Sequence, residues 1–316
     1  MKSPVLLTLL LSACLAQAAD KFTVAESEAT LDIKNREEVV LRYHKALVPP
    51  PKGVDPAYTR SGFIHPLRTP GGTAVTGIHP KDHYHHLGLW HVWVKSKHNG
   101  RAIDFWNLKK KEGTVRYAKT LETLEEDGGA GFAVEQEHVA FPGQKNEEVI
   151  LREEFRVFVR LVGDAYEVDY ETKQKNVTKH ALELPAYRYG GQIALRGNPT
   201  WNNNNSDYLS SEGKTRADGH KSRSRWCAVW GDGKTKGSFV HFAFLGHREN
   251  QDAPQRMRVW EKGNCNGAIF LNYVPTQETG WSIKPGETSH MRYRIVLKEG
   301  KPSKEDLDKR WDAFHE

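Results

Sequence analysis

From Val149 to Val162 apolar and polar residues alternate, Gly163-Asp164 breaks the run, and Ala165 to Thr172 resumes it. A period of two sends successive side chains to opposite faces of a pleated strand, and Gly-Asp between two such runs is a turn signal. The stretch predicts a long antiparallel hairpin with one buried face. Extended runs recur at Glu38 to Tyr43, Ala130 to Phe141, Ser238 to Leu245, Ala268 to Val274 and His290 to Leu297. Stacking sheet on sheet buries such faces, so the expected fold is all-β, a large antiparallel β-sandwich. Only the tail reads as a helix. Ser303 and Asp306 resemble a capping box, and Leu307, Trp311 and Phe314 share one face, which predicts a short C-terminal helix packed outside the sheets.

The 316 residues, 38% of them hydrophobic, suffice for one large β domain, expected over residues 19–316. Mean hydropathy of -0.68 and 27% charged residues describe a soluble chain. At the start, Lys2 precedes an apolar stretch from Val5 to Ala13 that is too short to span a bilayer and reads as an export signal. Two cleavage patterns overlap there. Ala16-Gln17-Ala18 fits removal of residues 1–18, whereas Leu11-Ser12-Ala13-Cys14 looks like a lipobox that would remove residues 1–13 and lipidate Cys14. The expected location is periplasmic or extracellular, or at a membrane through that lipid alone. An oxidising compartment leaves two readings of Cys227 and Cys265 open, a disulfide or two separate thiols.

Net charge is +6 and the isoelectric point about 9.0, yet the basic residues are dispersed. Lys109-Lys110-Lys111 is followed at once by Glu112, and the basic stretch Lys214 to Arg225 has the composition of a mobile loop. No recognised nucleic-acid motif accompanies the charge, so no nucleic-acid partner is expected.

Between His79 and His91 lie five of the chain's 15 histidines. Histidine titrates near neutral pH and is the commonest metal ligand, so the block points to proton transfer, metal binding or both. Pro80 and Gly88 argue against a helix and favour an extended segment leading into a strand at Leu89 to Val94, with His83 and His85 on one face and His86 on the other. A divalent metal, its identity open, would need two imidazoles or imidazoles plus Asp82 to converge on one ion.

A second cluster is Glu183-Leu184-Pro185-Ala186-Tyr187-Arg188-Tyr189-Gly190-Gly191. Glu183 is a candidate acid or base if desolvated, although a solvated strand-end carboxylate is the plainer reading. A third is His241, His247, Arg248, Glu249 and Asn250, with His247 in the loop after Gly246. Asn272 and Tyr273 form a weaker polar pair. Nine Trp and 11 Tyr in a polar chain suit sugar stacking, with Trp90, Trp106, Trp201 and Trp281 as candidates.

Phe63-Ile64-His65-Pro66-Leu67, the block from His79 to Trp90 and Trp281-Ser282-Ile283-Lys284-Pro285-Gly286-Glu287 together resemble a secreted bacterial family labelled PmoA-like, a domain of unknown function. Members commonly carry Arg where this chain has Leu87, so no role for that arginine carries over. The resemblance implies a galactose-mutarotase-like supersandwich and a setting among sugar oxidoreductases and isomerases.

The combined expectation is an exported enzyme that cleaves or rearranges a glycoside, including a keto-glycoside, acting as a hydrolase or lyase. His83, His86, Glu183, Arg188 and His247 are expected to converge as catalytic groups. His79, His85, Tyr187, Tyr189, Trp201, Asn250 and Asn272 are expected to hold substrate. A non-catalytic sugar-binding module and a metal-dependent oxygenase with a facial triad are the alternatives.

Overall fold

The computed structural model describes residues 20–126 and 128–316. The two leader cleavage sites and Cys14 lie outside them.

The alternation between Val149 and Thr172 folds as read. Strands Glu148–Val162 and Ala165–Asn176 pair antiparallel, from Val162 opposite Ala165 at the turn to Leu151 opposite Asn176. Phe155, Val157, Val159, Val168 and Tyr170 point inward, while Arg160 donates to Asp169 at 2.6 Å on the outer face. The hairpin lies within an eight-stranded antiparallel sheet ordered Ser206–Ser210, Trp226–Asp232, Phe239–Gly246, Thr288–Glu299, Ala165–Asn176, Glu148–Val162, Gly129–Ala140 and Gly113–Glu126.

A second eight-stranded sheet packs against it, ordered Phe22–Glu26, Thr30–Asn35, Glu38–His44, Phe63–Leu67, Leu89–His91, Ile193–Arg196, Phe270–Tyr273 and Met257–Val259. One core joins the two sheets, with Leu31, Ile33, Leu41, Leu89 and Leu271 meeting Val134, Phe155, Val168, Phe244 and Ile295. Each such side chain contributes roughly 1.5–3 kcal/mol on burial. A small third sheet of Trp281–Ile283, Leu182–Leu184, Ser96–His98 and Arg101–Ile103 lies beside a second apolar cluster containing Trp90, Trp93 and Trp106. The molecule is the antiparallel β-sandwich its periodicity predicts.

The helix Lys304–Ala313 forms with Ser303 as its cap, the hydroxyl accepting from Asp306 N at 3.3 Å. Leu307, Trp311 and Phe314 cover Trp226, Ala228, Ala243 and Val296 on the outside of the first sheet.

One open question closes and two expectations change. Of the two readings of Cys227 and Cys265, separate thiols hold: the first is buried in the sandwich and the second exposed on a loop. The predicted strand at Leu89 to Val94 is confined to Leu89–His91. The basic stretch from Lys214 is no loose loop near its start. Arg216 is buried and donates to four main-chain carbonyls, those of Trp260 and Gly267 at 2.9 Å and of Glu261 and Ala268 at 3.2 Å.

Candidate active site

The histidine block is neither extended nor helical. Two successive turns, His83 N to Pro80 O at 3.0 Å and His86 N to His83 O at 2.9 Å, fold it into a knot closed by His79 N donating to His86 O at 2.9 Å. Pro80 lacks an N–H and stops a helix, while Gly88 leaves the knot with φ of 69°, where an added Cβ would lie 2.4 Å from Ile64 O. The knot brings His83, His85 and His86 together. Ring centroids are 4.7 Å apart for His83 and His86, 4.8 Å for His85 and His86, and 5.4 Å for His83 and His85.

These three imidazoles line a cavity of about 150 Å³ with Trp106, Asn107, Arg188, Tyr189, Arg258, Trp260 and Phe270. His86 stacks on Phe270 at 4.9 Å and His83 lies 4.9 Å from Trp260. Three loops build the remaining walls. Asp104 accepts from Trp106 N at 3.0 Å and Asn107 N at 2.9 Å, which shapes the turn carrying both. Asn272 accepts from Gly190 N at 2.6 Å and donates to Gln192 O and Ile193 O, which pins the loop carrying Arg188 and Tyr189. Gly190 is required there, since a Cβ would fall 2.0 Å from Val94 Cγ2. Arg216 holds the carbonyls behind Trp260.

Arg196 ties the knot to the sheet. Its Nη2 donates to Asp82 Oδ1 at 2.8 Å, and its Nη1 lies 3.4 Å from His86 Nδ1. A guanidinium has no lone pair to offer, so His86 Nδ1 accepts and the ring proton sits on Nε2. His83 Nδ1 faces Asp82 Oδ2 at 3.3 Å and Cys265 Sγ at 4.0 Å. A proton held on that edge by the carboxylate leaves His83 Nε2 as the basic nitrogen. Burial, reinforced by neighbouring charges, drives the His86 pKa well below its ordinary value and that of His85 to about 4. Burial also lowers His83, against the opposing pull of Asp82. The cluster is neutral at pH 7.

Asp82, His83 and Cys265 also have donor atoms within 4.8 Å of one another, the spacing of a metal-ligand set. The Arg196 guanidinium already supplies positive charge to this carboxylate, and a cation would sit against it. The trio therefore serves better as an ion-paired support for the imidazole. A second trio, His91, His138 and Glu153, lies sealed in the core.

The structure thus brings His83, His86 and Arg188 to one pocket with His85 and Tyr189, and separates the other expected groups. Glu183 is exposed on the small sheet, opposite Ser282 and Lys97, in a shallow groove beside Trp281. His247 lines a different cavity of about 120 Å³ with Asn250 and Trp311. Five-way convergence fails because these two residues stand on elements that never meet the histidine knot. Asn250 is occupied as a turn brace, donating to Arg292 O at 2.7 Å and accepting from Arg292 N at 2.8 Å. Asn272 is fully buried and shapes the pocket from behind. Trp201 is a core residue that donates to Asp232 O at 3.0 Å, at the wall of a neighbouring cleft that also includes His79. His79 Nδ1 is engaged with Tyr84 O at 2.7 Å. Tyr187 packs 5.0 Å from Tyr189 without lining the pocket. Sequence reading overlooked Trp260, Arg258, Arg196 and Phe270, which no local pattern ties to the knot.

The fold and this pocket define an all-β protein whose candidate site is an aromatic-walled cluster of neutral histidines at the edge of a sandwich sheet. Residues 30–312 match the model of a family described as a family of unknown function, DUF6807, and the chain belongs to that family. No curated relative matches the sequence. Among solved structures, the galactosidase domain of the α-galactosidase–sucrose kinase AgaSK is similar at TM-score 0.40 and 9% identity, over 89% of this chain and 41% of that one. The Slr1438 protein of Synechocystis sp. PCC 6803 is similar at TM-score 0.38 and 9% identity, over 88% and 97%. A galactose mutarotase related enzyme from Lactobacillus acidophilus is similar at TM-score 0.36 and 8% identity, over 87% and 97%. The chain spans about two fifths of the length of the galactosidases it matches.

Proposed function

We propose that the protein is an exported carbohydrate-active enzyme that breaks a glycosidic bond by imidazole acid–base chemistry, and that the reaction is an elimination. The observation that carries this reading is the composition of the pocket. Three neutral imidazoles and aromatic walls line it, and among the described residues no Asp or Glu does. Hydrolysis by the usual route needs two carboxylates flanking the bond. A neutral imidazole is suited instead to removing a C–H proton made acidic by an adjacent carbonyl.

In this scheme His83 Nε2 takes the proton from the carbon beside the carbonyl, and Arg188 stabilises the enolate that forms. The C–H electron pair becomes a carbon–carbon double bond, and the adjacent C–O bond breaks with its pair on oxygen. His86 Nε2–H then protonates the departing oxygen. His83 gains one proton and His86 loses one, so exchange with water resets the pair. Trp106, Trp260 and Tyr189 offer the flat surfaces that cover a sugar ring. A keto-glycoside is the simplest substrate of this kind. Export, to the periplasm, the medium or a lipid-anchored position, is supported by the N-terminal sequence alone.

The test is incubation of the mature protein with methyl glycosides and their keto derivatives, following methanol release and the unsaturated product by mass spectrometry. Release from a carbonyl-bearing glycoside that is lost in His83→Ala and His86→Ala is the expected result. Release at the wild-type rate by both variants, or hydrolysis without an unsaturated intermediate, would overturn it.

A further inference from the structure

Two arginines that line the histidine pocket have no carboxylate partner among the described residues. Arg196, Arg223 and Arg256 nearby pair with Asp82, Asp252 and Glu278 at 2.8, 2.8 and 2.6 Å. Arg188 makes no ion pair and lies over the Tyr189 ring at 5.5 Å. Arg258 is half-buried, and its side-chain partner is an imidazole, with Nη1 3.2 Å from His220 Nε2. Burial and then the neighbouring Arg188 charge press against Arg258 keeping its proton. Two like charges side by side, one partly desolvated, raise the energy of the empty pocket and are relieved by an anion. A second, independent sign points the same way. Trp106 lines the pocket and is 1% exposed, yet its indole N–H has no acceptor among the described residues. A buried donor without a partner favours an acceptor arriving with a ligand.

We infer that Arg188 and Arg258 form an oxyanion subsite and that the sugar taken by this pocket is a uronide, its carboxylate held between the two guanidiniums. This rests on the eliminative reading above and moves its carbonyl from a keto group to a carboxylate, so the bond broken is C4–O and a methyl uronide binds without releasing methanol. In a uronide the carboxylate adjoins C5–H, so the arginine pair would neutralise the charge that otherwise opposes deprotonation. The C5 proton passes to His83, its electron pair forms the C4–C5 double bond, and the C4–O bond breaks with its pair on the departing sugar oxygen. That oxygen takes the proton from His86. The product is an unsaturated uronide, and no oxidant or reductant is consumed.

Calorimetric titration of the full protein with methyl glucuronide, methyl glucoside, glucose 6-sulfate and acetate tests the subsite separately from catalysis. Charge-assisted bonds to two guanidiniums predict that the glucuronide binds roughly ten- to a hundredfold tighter than the glucoside. Arg258→Gln and Arg188→Gln should each reduce that preference, and the double variant should abolish it with the thermal midpoint unchanged. Equal affinity for the 6-sulfate would keep the oxyanion subsite and overturn the uronide assignment. Equal binding of glucuronide and glucoside, unmoved by either variant, would overturn the inference while leaving the sugar reading standing. Failure of every sugar to bind, with acetate still bound in an arginine-dependent way, would support the anion subsite and remove both the sugar reading and the uronide.

Discussion

The carboxylate of Glu153 accepts a hydrogen bond from His138 Nε2 at 2.8 Å inside the sandwich, where neither residue is exposed to solvent. His91 engages the other carboxylate oxygen and, through its second nitrogen, the Tyr170 hydroxyl. Burial resists the charge on Glu153, but the two imidazoles outweigh it and hold its pKa far below the ordinary carboxylate value. The Arg60 guanidinium, also buried, lies near enough to add to the same field.

Glu153→Gln should therefore be strongly destabilising, because it removes the charge around which two buried imidazoles and a phenol are arranged. Breaking a buried pair by changing one partner costs about 3–5 kcal/mol. Urea unfolding of the variant would show it, and a midpoint within error of wild type would refute the network's structural role.

Stability should fall as the medium is acidified from about pH 6.5 toward about pH 4. Burial lowers His65 and His85 to about 4, and burial with the Arg292 and His315 charges does the same for His247. An unfolded chain protonates these rings near pH 6.5. In the interval between, the unfolded state binds more protons, so stability rises with pH and is lost as pH drops through the folded values. Denaturant midpoints measured across that interval should decline steadily, and a flat profile would contradict the neutral assignment of the buried rings.

Arg196→Lys should separate positioning from binding. Lysine can keep a charge near Asp82 but cannot also reach His86 Nδ1 with a second donor in the same plane. The expected result is a fall in kcat of about tenfold or more with KM little changed, consistent with a general acid that has lost its orientation. An unaltered kcat would remove Arg196 from the acid–base arrangement.

Asn272→Ala should loosen the Arg188–Tyr189 wall from behind. It strands Gly190 N and the carbonyls of Gln192 and Ile193 in a dry interior, each costing about 1–3 kcal/mol unless the loop shifts to recover water. Lower thermal stability together with raised KM is expected. Raised KM without any stability loss would mean that Asn272 touches substrate after all.

Chelation should leave turnover unchanged, because Asp82 is already neutralised by Arg196 and His83 is more useful as a base than as a ligand. Loss of activity on verified metal removal, restored by adding zinc, would reassign Asp82, His83 and Cys265 as ligands.

The sandwich was legible because alternation over the 149–172 stretch has one consistent meaning, and the Ser303 cap marked the helix start. The knot at His79 to His91 was conspicuous by density, but its shape depends on paired turns that periodicity does not describe. Arg258 and Phe270 reach the pocket from strands that become neighbours only in the folded sheet, Met257–Val259 beside Phe270–Tyr273, and Trp260 follows directly on the first. Nothing local announces that proximity. Glu153 did leave a trace: Leu151, Glu153, Phe155, Val157 and Val159 share the inward phase, so the sequence itself places a charge among core positions. Glu183 drew notice through its neighbours Tyr187 and Arg188, yet a strand end and the loop after it can face different spaces.

Arg216 grips oxygen atoms that every residue carries, so its hold on the loop behind Trp260 is indifferent to what the loop's side chains are. Outside the left-handed positions Cys265, Asn266 and Gly267, the last of which has no room for a Cβ beside Asn203, residues on this wall can change type without the loss of these carbonyl contacts. A lineage of such proteins can therefore retune what the cleft accepts by ordinary point substitution here, while the imidazole knot opposite stays fixed. Diversification of ligand preference is thereby uncoupled from loss of the scaffold.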